Sequence, residues 1–454
     1  MSSFPTGITS GTGPSRVRSG EWRAVAWSFA YFFCVLSAYY VMRPVREQLS
    51  AAVGSTQLPW FFAATFVATL ALTPVFAWLV SRWPRRIVVP AVYAFFIACL
   101  LAFVPLFTFE GLVSPKALGT LFFVWVSVFN LFVVSVFWSF MSDIWSDEQA
   151  RRLYPVIALG GTAGAIAGPA LTRALVGSIG VAHLLVVSAV LLALAMLCVL
   201  VLGKWAREHG VHRHRQEHEA AIGGGMFDGL KQVFATPFIR SMAILMLLGD
   251  AIGTIAYALV IDYSGATFHD AVSRTRFAAD IDLVTNTIQV VAQLTLTRWL
   301  LVRHGAAPVL AVRAIVGILA CIGLALAVDP YAVVVGPLSL SLGPVHLALS
   351  GLPWVALMLV LTRSLAYGMD QPARESLFTL VPRGMRYKGK NAVDTAVWRA
   401  GDVFSALTVN GLRAAGATVG VFGWIGAAAL AASGSLGWAL ARRLERASAA
   451  GEVY

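Results

Sequence analysis

The sequence predicts an all-α polytopic membrane protein, with twelve spanning helices arranged as two six-helix halves. Three observations predict it. First, the 454 residues are 58% hydrophobic and only 12% charged, against about 45–50% and about 25% in soluble chains. Second, apolar runs of roughly 20 residues recur along the chain without alternating, which is the pattern of helices crossing a bilayer and not of strands. Third, six runs precede one polar break and six follow it. A single soluble core could not hide this much apolar surface. Lipid offers no hydrogen bonds, so the spanning backbone must close its own, which favours helices.

The runs of the first half are Ala24–Met42, Leu58–Val80, Ile87–Phe107, Ala117–Met141, Tyr154–Leu175 and Val181–Leu202. A polar stretch follows to about Pro237, with a basic run at His212–Arg215 and a flexible Gly223–Gly225. The second half reads Ile239–Val260, Ala278–Leu301, Ala307–Val328, Pro353–Tyr367, Asn391–Ala414 and Val419–Leu440. The expected organisation is a disordered cytoplasmic tail (1–23), a bundle (24–203), a cytoplasmic linker (204–237), a second bundle (238–441) and a short cytoplasmic tail (442–454). The polar start lacks the basic and apolar regions of a cleaved signal peptide. The apolar, nearly uncharged stretch 331–350 is expected outside, along the membrane surface.

The formal net charge of +12 suits arginine-rich inner loops better than nucleic-acid binding. With the N-terminus inside, about 25 Lys and Arg fall on the inner side and about 7 on the outer, which places both termini in the cytoplasm. The outer set is Arg43, Arg46, Lys116, Arg173, Arg274, Arg276 and Arg413. The four cysteines lie far apart within apolar runs and show no metal spacing. No metal, cofactor or nucleophile–base constellation is expected, so the chain does not read as an enzyme. The halves echo each other: Ser81–Arg86 follows the second span, and Arg298, Trp299 and Arg303–Gly305 close the eighth. Bundles with such repeats hold small ligands near the midplane, between the halves.

Ionisable residues at membrane depth are candidate functional groups. Asp250 lies in the seventh span, and Asp394, Arg399 and Asp402 lie in the eleventh. Arg399 and Asp402 are three apart and can pair along the helix. In the eighth span Asp282, Asn286, Gln289 and Gln293 recur on one helical face. A polar stripe avoids lipid, so it faces either a water-filled cavity or an interhelical network. Arg43 and Arg46 follow Tyr39 and Tyr40 at the end of the first span, where two guanidiniums beside aromatic rings suit a planar anion or an interfacial anchor. Gly164 and Gly168 permit close helix packing, and Pro169 removes a backbone hydrogen bond and offers a hinge. The acidic pairs Asp147–Glu148 and Asp280/Asp282 read as ordinary helix-end carboxylates.

Residues 77–86 resemble a degenerate form of the major facilitator loop motif. Arg82, Arg85 and Arg86 match its basic positions; Ala77, Ser81 and Pro84 depart from it. In that superfamily the motif locks helix ends together in one access state. Three further strings resemble the bacterial and plastid ATP/ADP translocase family. They are Phe137–Phe140 with Glu148–Pro155, then Pro372–Glu375, then Tyr387–Asp394. The resemblance implies a secondary-active antiporter of nucleotides in a bacterial inner membrane, working by alternating access. The expected substrate contacts are Tyr40, Arg43, Arg46, Asn130 and Arg399, with the polar stripe of the eighth helix. Asp250, Asp394, Asp402 and the three loop arginines would then couple or gate. The departures fall at charged positions. Asn130 stands where the family has a glutamate, and Asp402 where it has a lysine. A carboxylate repels a polyphosphate in a desolvated site. The chain is therefore also expected as a proton-coupled carrier of a smaller or less charged metabolite, though still one of anionic type. An alternative of another class is a non-transporting sensor or scaffold built on the same fold.

Overall fold

Where the sequence shows an unbroken apolar run, the backbone forms one long helix, because each N–H finds its carbonyl within the same segment. The computed structural model describes residues 21–83, 85–109, 111–208, 234–342, 345–381, 390 and 393–449. The first half contains α1 (Trp22–Val53), α2 (Leu58–Arg82), α3 (Arg85–Thr108) and α4 (Pro115–Ile144). The stretch Asp147–Glu208 then makes two passes, α5 and α6, divided where Gly180 adopts φ 76°. That left-handed conformation is open to glycine at little cost. The helix continues through Pro169, and the backbone leaves helical geometry at Gly180 instead.

The second half contains α7 (Pro237–Thr267), α8, α9 (Ala306–Leu326), α10, α11 and α12 (Val419–Ala449). Three of these are interrupted. α8 runs Ala271–Ala292, passes a π-turn at Gln293–Thr297 and resumes at Arg298–His304. α10 runs Trp354–Leu365, passes a π-turn at Ala366–Asp370 and resumes at Gln371–Phe378. α11 opens with the π-turn Val393–Val397 and continues as Trp398–Ala414. Among the described residues, eight helical stretches are long and apolar enough to cross a membrane. One of them, Arg152–Glu208, holds two passes. The three interrupted helices make up the twelve, and their polar residues or short pieces explain why composition alone passes over them.

Several expected boundaries move. α1 continues eleven residues beyond Met42 to Val53, so Arg43 and Arg46 lie inside a helix and not at its end. The inner segment expected as a loop after Asp370 is helical as far as Phe378. The stretch 331–350 holds strands: β1 (Val333–Val335) pairs with β4 (Leu352–Pro353), and β2 (Leu338–Leu342) with β3 (Val345–Leu349). The basic run, the glycine stretch and most of the expected linker and tails lie outside the described residues.

Small residues set the closest helix contact. α1 packs along α5, and a Cβ on Gly164 would sit 2.5 Å from the Phe33 carbonyl oxygen and 3.0 Å from the Ser37 nitrogen. A Cβ on Gly168 would meet the Tyr40 Cβ at 2.6 Å and the Ser37 oxygen at 2.9 Å. The expectation of close packing at this pair is met. Between the halves, α1 and α5 pack on α8, α1 packs on α7, and α2 packs on α11. With twelve passes, the first and last described residues lie at the same end of the bundle, here called the termini end.

Gly164→Ala should therefore lower stability by about 1–3 kcal/mol, because the obstacle is backbone and cannot rotate away. Gly253 on α7 has nothing within 4 Å of a built Cβ, so Gly253→Ala should be neutral or mildly stabilising. Thermal melting of the two variants in detergent micelles checks the contrast.

Candidate functional site

A cavity of about 450 Å³ lies between the halves. α1 contributes Tyr39 and Arg46, α2 contributes Phe62, and α4 contributes Ser127 and Asn130. From the second half, α7 supplies Asp250, Thr254 and Tyr257, and α10 supplies Arg363, Tyr367, Asp370 and Arg374. α11 supplies Asp394, Trp398, Arg399 and Asp402, and α9 supplies Arg313. Two of the three π-turns lie along this wall. A π-turn widens the helix locally and is often found at functional sites.

The upper part of the wall, away from the termini, is a buried charge network joining the halves. Arg46 pairs with Glu47 at 2.6 Å and stacks over the Phe123 ring at 4.7 Å. Arg43 lies 3.7 Å from Glu47 and 3.3 Å from Asp282 on α8. The Tyr257 hydroxyl on α7 donates to Glu47. Two arginines and two carboxylates thus offset one another across the interface. Isolated charges could not be held there, because desolvation costs several kcal/mol per ion.

At mid-depth the Trp398 indole N–H donates to Asp250 at 2.9 Å, and Arg399 pairs with Asp402 at 3.4 Å. Asp250 packs beside Gly401, the neighbour of Asp402 on α11: a Cβ on Gly401 would meet the Asp250 Oδ2 at 3.3 Å, and both carboxyls line the cavity. Nearer the termini end, Asp370 pairs with Arg374 at 3.0 Å and Arg313 at 3.8 Å, and Arg313 also donates to Ser433 on α12. Lys390 bridges Glu375 and Asp394 at the mouth. Among the described lining residues, five arginines (46, 313, 363, 374 and 399) face five carboxylates (250, 370, 375, 394 and 402).

Of the residues expected here, Arg46, Asn130, Asp250, Asp394, Arg399 and Asp402 line the cavity. Arg43 and Tyr40 do not. Arg43 is buried behind the wall, its guanidinium 5.6 Å from the Tyr40 ring centroid, and Tyr40 backs onto Gly168. The polar face of α8 is a correction: it does not line the cavity. Asp282 faces Arg43, Asn286 donates to the Ala165 carbonyl on α5 at 2.6 Å, Gln289 has its backbone against Gly368, and Gln293 is exposed. Neighbouring helices receive Asp282 and Asn286, so the buried half of the stripe avoids lipid without facing water. α10 takes the place expected for α8. Arg82 is exposed beside Trp78, and the side chains of Arg85 and Arg86 lie outside the described residues.

Sequence reading missed Arg363, Tyr257 and Asp370. Arg363 interrupts an apolar run in Leu361–Leu365, and that signal was available. It also misread Asp280, which is buried and pairs with Arg173 on α5 at 3.0 Å. At the end opposite the termini, Ser55 donates to Asp262 on α7, Arg413 on α11 pairs with Asp262 at 2.7 Å, and Asn410 donates to the Thr56 carbonyl. The polar contacts between halves that the structure describes thus fall at or above mid-depth. The cavity extends the other way, towards Arg374, Glu375 and Asp394.

Two six-helix halves clasping a polar cavity, sealed at one end, define a secondary transporter. The profile of the Major Facilitator Superfamily matches residues 28–373. The chain belongs to that family. Its fold is similar to that of the nucleoside transporter NupG, with TM-score 0.59, 14% identity and coverage of 93% of this chain and 98% of that one. A POT family transporter in complex with 5-aminolevulinic acid gives a TM-score of 0.62 at 12% identity, over 95% and 98%. The inward-open xylose transporter XylE from E. coli gives 0.56 at 12% identity, over 91% and 95%. No curated protein shows significant sequence similarity to the chain. These similarities reach the superfamily and not its nucleotide-exchange branch.

Arg43→Ala should cost about 3–5 kcal/mol, since Asp282 and Glu47 would be left buried with a lost partner. The double change Arg43→Leu with Asp282→Leu should cost less than the single one. Detergent-melting midpoints of both variants measure the difference.

Proposed function

We propose that the protein is a proton-coupled carrier of a small polar metabolite, exposing its cavity alternately at the two membrane faces. The observation that carries this reading is the Asp250–Asp402 pair in a wall of balanced charge. Two neighbouring carboxyl groups in a desolvated wall repel each other when both are ionised, so a proton on one of them stabilises the pair. Arg399 and Trp398 on α11, Tyr367 on α10 and Arg46 on α1 are the other groups acting on this pair. When the proton leaves, two carboxylates compete for Arg399, and the pairing across α7 and α11 must rearrange. A change of that kind couples proton movement to helix position.

The polar seal opposite the termini, at Ser55, Asp262 and Arg413, fits a state open towards the termini end. The charge distribution supports both termini lying in the cytoplasm of a bacterial inner membrane. Of the seven cations expected outside, Arg43, Arg46 and Arg173 are engaged in buried or half-buried pairs within helices. The outer loops therefore carry still fewer free cations, and the inner bias strengthens. Charge balance tells against nucleotide exchange, because among the described lining residues a polyphosphate finds as many carboxylates as arginines. The family-like string Glu148–Pro155 opens α5, away from the cavity, where Arg152 pairs with Glu21 at 2.8 Å. Of Tyr387–Asp394, Asp394 lines the wall, and Tyr387–Gly389, Asn391 and Ala392 lie outside the described residues. These strings support the frame of the resemblance and not its substrate.

The test is uptake into proteoliposomes from an isotope-labelled extract of small metabolites, acid outside, read by mass spectrometry. At least one species should accumulate only with the gradient. Asp402→Asn should reduce that dependence about tenfold or more, in line with the loss of a positioned proton-transfer group. ATP entry stimulated by internal nucleotide, with no response to the gradient, would contradict the reading.

A further inference from the structure

The charges of the cavity balance in total but are sorted by depth. Resting on the carrier reading above, we propose that the cavity takes a small zwitterion, with its carboxylate towards Arg363 and Arg46 and its ammonium towards Asp250. In the upper layer, Arg43 and Arg46 are offset by Glu47 and Asp282. Arg363 lines the same cavity, and among the described residues no carboxylate pairs with it. Arg363 lies seven residues before Asp370 on α10, two turns or about 10 Å nearer the sealed end, so the upper part of the cavity carries one positive charge in excess. Once the proton on the Asp250–Asp402 pair has left, the middle layer holds two carboxylates against Arg399 alone. Asp250 is moreover left with one buried carboxyl oxygen, Oδ2, that has no hydrogen-bond partner.

The cavity face of α7 provides the measure between the layers. Asp250, Thr254 and Tyr257 line it together. The spacing of four and three residues puts them on one face. From Asp250 to Tyr257 is two turns, a rise of about 10 Å. Tyr257 donates to Glu47, which holds Arg46, so the upper end of this face coincides with the cationic layer. A hydrogen bond of about 3 Å at each end leaves room for a carboxylate and an ammonium a few bonds apart. A volume of about 450 Å³ suits a molecule of that size. A dianion of the same length would set one carboxylate against Asp250, and a dication would set one ammonium against Arg363. In a desolvated cavity either like-charge contact is repulsive.

The test compares three probes of equal chain length with ATP: δ-aminovalerate, the dianion glutarate and the dication cadaverine. Each is added to the detergent-purified full chain at neutral pH, and the melting midpoint is read as a function of concentration. A ligand that binds only the folded state raises the midpoint. δ-Aminovalerate should raise it, and the other three should not. Arg363→Gln and Asp250→Asn should each weaken the apparent affinity about tenfold, as expected for one charge-assisted hydrogen bond. The unliganded midpoint of Arg363→Gln should stay near that of the parent, since it breaks no ion pair. Stronger protection by glutarate, cadaverine or ATP overturns the proposal, as does a shift with none of the probes or an unchanged affinity in Arg363→Gln. Binding of δ-aminovalerate without uptake in proteoliposomes supports the zwitterion site and contradicts the carrier reading, so the two failures are distinct.

Discussion

A charge placed inside a bilayer must be compensated inside the bilayer, and much of this structure follows from that constraint. The network of Arg43, Arg46, Glu47 and Asp282 meets it by recruiting helices from both halves. No one helix supplies a neutral set. α1 brings two arginines and one glutamate, and the balancing carboxylate arrives on α8. The halves are therefore held together where their charges complete one another. Truncating any member leaves a buried charge, which is far more costly than replacing the whole set by apolar groups. Such an interface is stable when closed and has no cheap intermediate, which is the behaviour required of a two-state gate.

The same constraint explains what could and could not be read in the sequence. Helix number followed from apolar runs, because lipid imposes hydrophobicity on every outward face. Run ends are misplaced wherever a buried charge looks like an interfacial one. Arg43 reads in sequence as the end of α1, yet the helix continues to Val53 because Asp282, more than 200 residues away, receives it. The stripe on α8 does face the protein interior, as its periodicity predicts. Sequence periodicity does not say whether the interior is water or another helix. Here it is helix, as the Asn286 bond to the Ala165 carbonyl shows. The glycines of α5 were legible as packing residues, since backbone approach leaves a direct mark in side-chain size.

The cavity was legible in part. Asp250, Arg399 and Asp402 stood out as ionisable groups in apolar surroundings. Arg363 has the same character, but its span was short and its continuation through Ala366–Asp370 was invisible. A π-turn inserts one extra residue per turn and shifts every later side chain around the helix axis. Regular periodicity is then lost at the positions where the wall is built. Tyr257 was missed for a different reason. A tyrosine among apolar residues carries no signal until its partner Glu47 is known.

The central claim is that the two halves close alternately at opposite ends, with the described state sealed away from the termini. Thr56 and Ala415 are exposed positions at the sealed end, one on each half. Spin labels at these two positions allow the distance between halves to be measured by pulsed electron resonance in lipid nanodiscs, across a pH series. The account predicts a short-distance population matching the sealed state and a second, longer population whose share changes with pH. A single short distance, unmoved by pH and by Asp262→Ala, would contradict it.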